Sequence, residues 1–162
     1  MHGDVSPKNV LLRGEIPVLL DAECATMGDA SFDVAFCLNH LVLKAVHRPD
    51  ARAALIRSAH TLWNAYVRHV VWESVTGLEA RVCALLPALM LARVDGKSPV
   101  EYLGDEDRSR VRCTAASLIP TPPSRLIDLL STLTTAFDGA ATDVTSGVEA
   151  DIAPATTIGG GS

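Results

Sequence analysis

The sequence predicts a mainly α protein with one small β-hairpin near its amino terminus. Its 162 residues are 48% apolar but only 4% aromatic, and an aliphatic composition of this kind favours packed helices. From about residue 32 onward, apolar residues recur at spacings of three and four, which is the period of a helix face. Before that point, two short apolar runs flank a turn, as in a hairpin.

The predicted hairpin follows an opening loop over residues 1–9. Its strands are the apolar runs 10–12 and 17–20, and Arg13-Gly14-Glu15 lies between them as the turn. A polar, glycine-containing stretch over 21–31 then leads to the first helix.

The helices are predicted from periodicity and from their start and stop residues. Pro49 separates the first two helices, Gly77 ends the second, and Pro87 is expected to kink the third. Ser98, Pro99 and Glu101 have the pattern of a capping box, which predicts a helix start. The predicted helices cover residues 32–46, 50–75, 78–94, a segment from 98, 105–118 and 123–137.

We expect one domain over residues 1–138 and a disordered tail over 139–162, because the tail lacks periodicity and closes on Gly-Gly-Gly-Ser. The net charge of −5 and the scattered basic residues argue against a nucleic-acid partner. The longest apolar run, 82–91, contains Pro87, so we expect no membrane span and a cytoplasmic protein. The four cysteines are interpreted as small buried thiols in a reducing compartment.

The residues most suggestive of chemistry lie in the opening loop and after the hairpin. Asp4 and Asn9 are five residues apart in the loop, and Asp21 follows the second strand. Because an antiparallel hairpin returns the chain near its start, we expect these three side chains to converge. Carboxylate and carboxamide oxygens suit Mg²⁺, which also takes substrate phosphates as ligands. Phosphoryl transfer requires such an ion and a carboxylate that orients the attacking hydroxyl.

The spacing His2-Gly3-Asp4 to Asn9 is that of a kinase catalytic loop. Together with Asp21-Ala22-Glu23, Gly28-Asp29 and Asp33-Val34-Ala35, it resembles the aminoglycoside phosphotransferase and choline kinase-like family, closely so over residues 1–36. This resemblance implies the helical C-terminal lobe of a protein-kinase-like fold, with the hairpin carrying the catalytic and metal-binding loops. It also implies transfer of the ATP γ-phosphate to a hydroxyl of a small molecule.

The resemblance further implies a role for each motif residue. Asp4 would be the catalytic base, and Asn9 and Asp21 would hold Mg²⁺ and, through it, ATP. Glu23 would touch a second metal or the substrate, with a solvated surface position equally open. The remaining positions are Ser6, which would face the transferred phosphate, and His2 and Asp33, which would support the loop. Alternatively, Asp4, Asn9 and Asp21 only cap turns.

Kinases of this fold also need a glycine-rich loop over the phosphates, a lysine on the phosphates and a glutamate that positions it. An N-terminal lobe supplies these parts, and no Gly-x-Gly-x-x-Gly pattern precedes residue 159. Two hypotheses follow. The chain is the catalytic lobe of a small-molecule kinase that works with a separate N-terminal lobe, or it is an inactive kinase-like fragment that acts as a binding module.

Overall fold

The structure, a computed structural model, describes residues 1–139. It is mainly helical with a two-stranded antiparallel hairpin, so the predicted fold class is confirmed. The elements are strands β1 (Val10–Arg13) and β2 (Ile16–Leu19), and helices α1 (Ser31–His47), α2 (Arg52–Val67), α3 (Val75–Asp95), α4 (Asp105–Leu118) and α5 (Leu126–Gly139). Short 3₁₀ turns occur at Pro7–Asn9, Ala22–Cys24 and Pro49–Ala51.

The hairpin pairs Val10 with Leu19 and Arg13 with Ile16 across a two-residue turn. Gly14 opens this turn at a φ of 63°, a conformation that glycine adopts without strain. Every residue of both strands is exposed, including Leu12 at 67% and Ile16 at 68%. The hairpin therefore presents apolar side chains on both of its faces.

The core is built around α1, which packs against α2 and α3, while α4 packs mainly on α3 and also contacts α1. Leu38 and Val42 of α1 are fully buried, as are Leu86 and Met90 of α3. Aliphatic side chains at helical spacing thus form one continuous core, as their periodicity predicts. This core holds the opening loop, which lies at the amino-terminal end of α1.

The boundary between the second and third helices differs from the prediction. α2 ends at Val67 rather than near residue 75, and Gly77 lies in the first turn of α3 instead of ending a helix. The reason is a cap, since the Ser74 hydroxyl accepts a hydrogen bond from the Gly77 amide over 3.0 Å. α3 then runs on through Pro87.

The helix predicted to start at Ser98 is wrong, because residues 96–104 connect α3 to α4 without forming a helix. Arginine side chains donate hydrogen bonds to the backbone carbonyls of this segment. Arg93 donates to the Ser98 carbonyl at 2.7 Å, and Arg108 donates to the carbonyls of Val100 and Leu103 at 3.0 Å each. Val100 and Leu103 are buried, so the segment is anchored by its apolar side chains and by these bonds.

Arg52 links α1, α2 and α5. It is 6% exposed, donates from Nε to the Ala45 carbonyl at 3.0 Å, and forms an ion pair with Asp138. A buried guanidinium of this kind is stable only when its donors are satisfied. The pair therefore ties the last helix to the junction of the first two.

α3 is long and apolar enough to cross a membrane by length and composition, although core helices of soluble proteins meet the same measure. Here it carries seven buried residues packed within the helical core. Gly139 closes α5, and the rest of the predicted tail over 139–162 lies outside the described residues.

Candidate active site

The opening loop is fixed to α1 by one carboxylate. Asp33, in the first turn of α1, accepts hydrogen bonds from the amides of His2 at 2.6 Å and Gly3 at 2.9 Å. His2 adds a bond within the loop, since its Nδ1 accepts from the Asp4 amide at 3.3 Å. Asp33 and His2 are thus placed to hold the loop backbone rather than to meet a substrate.

Asp4 and Asn9 are in direct contact. The Asn9 side-chain nitrogen donates to the Asp4 carboxylate Oδ2 at 2.9 Å and to the Asp4 carbonyl at 3.0 Å. Asn9 is 7% exposed, so its orientation is fixed by packing as well as by these bonds. Because the nitrogen of Asn9 is used in this way, its carboxamide oxygen is left to serve as a ligand.

Ser6 lies in the loop between Asp4 and Asn9, and the contact with the transferred phosphate that the resemblance implies for it stays a prediction. It is fully buried, its carbonyl accepts from the Asn9 amide at 2.9 Å, and its hydroxyl has no hydrogen-bond partner among residues 1–139. Ser6 also belongs to the lining of a cavity that opens beside Asp4. Its backbone closes the 3₁₀ turn that positions Asn9.

The hairpin returns the chain to the loop, and Asp21 lies where it does so. The Leu20 amide donates to the Asn9 carbonyl at 2.9 Å, and further along the chain the Thr26 amide donates to the Met1 carbonyl at 3.1 Å. Asp21 has a φ of 66° and is the only non-glycine residue with positive φ in residues 1–139. Such backbone conformations cost energy and occur often at functional sites.

Gly3 allows the segment after Asp21 to approach the loop. Its φ is 87°, and a Cβ at this position would lie 2.6 Å from the Cys24 carbonyl oxygen. Only glycine fits both the backbone conformation and this contact. The loop therefore meets the chain on both sides of Asp21, at Leu20 and at Cys24.

The predicted metal site combines the carboxylates of Asp4 and Asp21 with the carboxamide of Asn9, and the convergence of these three side chains stays a prediction. Among residues 1–139, no three His, Cys, Asp or Glu side chains form a group that could hold a metal ion. Asp21 and Glu23 are both exposed. Oxygen donors from Asn9 and Asp21 still fit Mg²⁺, because this ion is commonly bound through one or two protein groups and completes its shell with water and phosphates.

A cavity of about 720 Å³ opens beside Asp4. Gly3 and Cys24 line its edge near the hairpin, whereas Asn9, Asp21 and Glu23 do not line it. Its polar wall comes from the loop, from α1, from α3 and from the segment after α3: Asp4, Ser6, Lys8, His40, Lys44, Arg93, Ser98 and Tyr102.

Sequence reasoning missed the α1 side of this cavity. Phe36, His40 and Lys44 are spaced by four, and this signal places them on one face of α1. Burial and the nearby Arg93 cation both lower the pKa of His40, which favours its neutral form.

Asp29 secures the start of α1. Its carboxylate accepts from the Ser31 amide at 2.8 Å and pairs with Arg81 of α3 at 2.8 Å. The bond from the Ser31 backbone is the main cause that lowers the pKa of Asp29, with Arg81 contributing. This motif residue therefore has a structural role, which is to join α1 to α3 beneath the loop.

The expectation of four buried thiols holds fully only for Cys83, because Cys37 is half-buried and the other two are exposed. All four cysteines are free, but Cys24 and Cys113 are exposed, because one lies on the loop side of the cavity and the other on the outer face of α4. Cys83 is buried in the core, where loss of solvation raises its pKa to about 12.

One of three comparisons with known proteins gave a match. The family model described as phosphotransferase enzyme family matches residues 1–72, which include the loop, the hairpin, α1 and α2. Searches of curated proteins and of solved structures found no match. The resemblance to the aminoglycoside phosphotransferase and choline kinase-like family is therefore confirmed over residues 1–72, the part of the chain that the family model matches.

Proposed function

We propose that this chain is the catalytic lobe of an ATP-dependent phosphotransferase that acts on a hydroxyl of a small molecule. The observation that carries the proposal is the contact between Asp4 and Asn9, 2.9 Å apart, in a loop to which the hairpin returns Asp21. A cavity of about 720 Å³ beside Asp4 has room for a small acceptor.

In the proposed reaction, an acceptor hydroxyl in the cavity approaches the Asp4 carboxylate. Its oxygen forms a bond to the γ-phosphorus of ATP while the bond from that phosphorus to the β,γ-bridging oxygen breaks, so ADP leaves. The hydroxyl proton passes to Asp4. Asn9 holds Oδ2 of this carboxylate, and Oδ1, which accepts no hydrogen bond from residues 1–139, is the oxygen placed to receive the proton.

Mg²⁺, the ion that the family implies, would be held by the Asn9 carboxamide oxygen and the Asp21 carboxylate, with Glu23 next along the chain. When bound with ATP, the ion supplies positive charge to the phosphates. Asp33 contributes indirectly, because its two bonds to the loop backbone fix the position of Asp4. We place this chemistry in the cytoplasm, as expected for a small-molecule kinase.

We also propose a separate N-terminal lobe as the partner that covers the ATP side. The exposed apolar hairpin supports this, since Leu11, Leu12 and Ile16 are each more than half exposed. Contiguous apolar surfaces of this kind usually mark an interaction site. The lobe would bring the lysine that holds the phosphates and the glycine-rich loop, whose Gly-x-Gly-x-x-Gly pattern does not occur before residue 159.

The decisive experiment measures phosphoryl transfer from radiolabelled ATP to hydroxy compounds, with Mg²⁺, for the chain alone and mixed with a candidate N-terminal lobe. We expect Asp4→Asn to lower kcat by about 10²–10⁴-fold with little change in nucleotide affinity. Asp21→Asn should weaken binding of the Mg²⁺–ATP complex. Asp105→Asn is the matched control, because Asp105 is an exposed acid at the start of α4, away from the loop.

Equal transfer by wild type and Asp4→Asn would contradict the proposed base. If no Mg²⁺–nucleotide complex binds, with or without the added lobe, the chain is instead an inactive binding module. Calorimetric titration of Mg²⁺–ADP tests nucleotide binding without any acceptor, so it does not depend on the choice of substrate.

A further inference from the structure

The cavity beside Asp4 has the opposite charge from the rest of the protein. Lys8, Lys44 and Arg93 line it with three positive charges, against the one carboxylate of Asp4. The chain as a whole carries a net charge of −5. A concave site lined by one sign of charge concentrates ligands of the other sign. The cavity is therefore suited to an anion.

These cations are only partly neutralised by the protein. Lys8 is 3.7 Å from Asp4 Oδ2 and its side chain is 70% exposed, and Lys44 lies over the Tyr102 ring at 3.9 Å. Arg93 uses Nη1 on the Ser98 carbonyl, and its Nε has no hydrogen-bond partner among residues 1–139. No carboxylate other than that of Asp4 lines the cavity, so an anionic ligand would find donors still available.

Uncharged donors add to this cationic wall. His40 Nε2 also has no partner within the described part of the chain, and a neutral imidazole provides one N–H donor. The Lys44 stem and the Tyr102 ring give the wall an apolar portion against which a sugar or alkyl chain can pack. Buried polar atoms without partners are uncommon in folded proteins, and a bound polar ligand is one way to satisfy them.

We infer that this cavity receives an acceptor carrying an anionic group, a phosphate or a carboxylate, in addition to the hydroxyl that is phosphorylated. The inference rests on the proposed function for the reaction, but the charge of the cavity is independent of it. The anion belongs to the acceptor rather than to ATP, because Asn9 and Asp21 lie outside the cavity wall. A cationic amino sugar or amino alcohol would instead meet three like charges.

Binding of four sugars that share one ring tests this inference: glucose, glucosamine, glucose 6-phosphate and glucuronate. The full chain is titrated calorimetrically with each at low salt. We expect glucose 6-phosphate and glucuronate to bind at least about tenfold more tightly than glucose, glucosamine to bind no better than glucose, and added salt to weaken the two anions. Comparing the affinities of glucose 6-phosphate and glucuronate shows whether the site prefers a phosphate or a carboxylate.

Lys44→Met and Arg93→Met should each weaken binding of glucose 6-phosphate by about tenfold, the loss expected for one charge-assisted hydrogen bond. Arg125→Met is the matched control, because Arg125 is exposed, lies outside the cavity and loses the same charge. Since Arg93 also holds the Ser98 carbonyl, Lys44→Met provides the test if Arg93→Met misfolds.

Tighter binding of glucosamine, no binding of either anion, or an equal loss in Arg125→Met would overturn the inference. Displacement of glucose 6-phosphate by Mg²⁺–ATP would also overturn it, because the cations would then serve the nucleotide. Anion binding without any binding of a Mg²⁺–nucleotide complex, with or without the added N-terminal lobe, would instead refute the proposed function alone. Transfer that prefers cationic acceptors would refute the inference alone.

Discussion

Gly3 and Cys24 touch so closely that a single added carbon on Gly3 would lie 2.6 Å from the Cys24 carbonyl oxygen. Gly3→Ala therefore has two costs, the positive φ of 87° and this overlap, and the second requires the backbone to shift. We expect the variant to displace the segment after Asp21 and to weaken binding of Mg²⁺–ADP, measured by calorimetry.

Gly14→Ala is the control for the cost of the positive φ alone. Gly14 also has a positive φ, 63°, but no atom lies within 4 Å of its added Cβ. The substitution should lower the free energy of unfolding, measured with urea, by about 1–2 kcal/mol and leave nucleotide binding unchanged. Equal effects of the two substitutions on nucleotide binding would contradict the importance of the Gly3–Cys24 contact.

Asp33→Asn should loosen the opening loop. The His2 amide at 2.6 Å and the Gly3 amide at 2.9 Å donate to different oxygens of Asp33. Asparagine replaces one of these oxygens by an NH2 group, which donates and cannot accept. Hydrogen bonds to charged groups contribute about 1.5–3 kcal/mol each. We expect faster hydrogen exchange at these two amides by NMR, together with lower phosphoryl transfer. Unchanged exchange at both would show that the loop is held by other contacts.

Asp29→Asn should destabilise the protein in a way that depends on pH. The Ser31 amide, with help from Arg81, lowers the pKa of Asp29 below its usual 3.8. The stabilisation is therefore full above pH 3.8 and is lost as the pH falls through the lower pKa of the folded state. The urea midpoints of wild type and variant should differ at pH 7 and converge in acid. A difference that grows in acid would contradict this assignment.

The four thiols should react with a disulfide reagent in a fixed order. Cys24 and Cys113 are exposed and should react first. Burial raises the pKa of Cys37, so its thiol should react more slowly. Cys83, with a pKa of about 12, should react only on unfolding. Because Cys24 lines the cavity, glucose 6-phosphate should slow its labelling but not that of Cys113, as followed by mass spectrometry. Equal protection of both would argue against occupancy of the cavity.

Short-range patterns made the fold class and the motif loop predictable. The hairpin followed from two apolar runs around Gly14, and the helices followed from their period. Their ends were less predictable. The Ser98 segment has a capping pattern, but its carbonyl accepts from Arg93 and its neighbours accept from Arg108, contacts that local sequence does not encode. Gly77 likewise sits inside a helix because Ser74 caps it.

The cavity was harder to predict than the loop. Its cations come from residues 8, 44 and 93, far apart in sequence, and only the packing of α1 against α3 brings them to one wall. The spacing of four residues could have predicted that His40 and Lys44 share one face of α1. It could not have predicted that Arg93 of α3 lies beside that face. The roles assigned to Asp4, Asn9, Asp21 and Glu23 remain predictions until activity is measured.

The ion pair between Arg52 and Asp138 has a practical consequence for anyone who shortens or fuses this protein. A deletion that reaches Asp138 would leave the Arg52 guanidinium, which is 6% exposed, without its carboxylate partner. The same guanidinium group donates to the Ala45 carbonyl, so the deletion would also disturb the carboxyl-terminal end of α1. A cut on the carboxyl side must therefore spare position 138, or carry Arg52→Met as a compensating change.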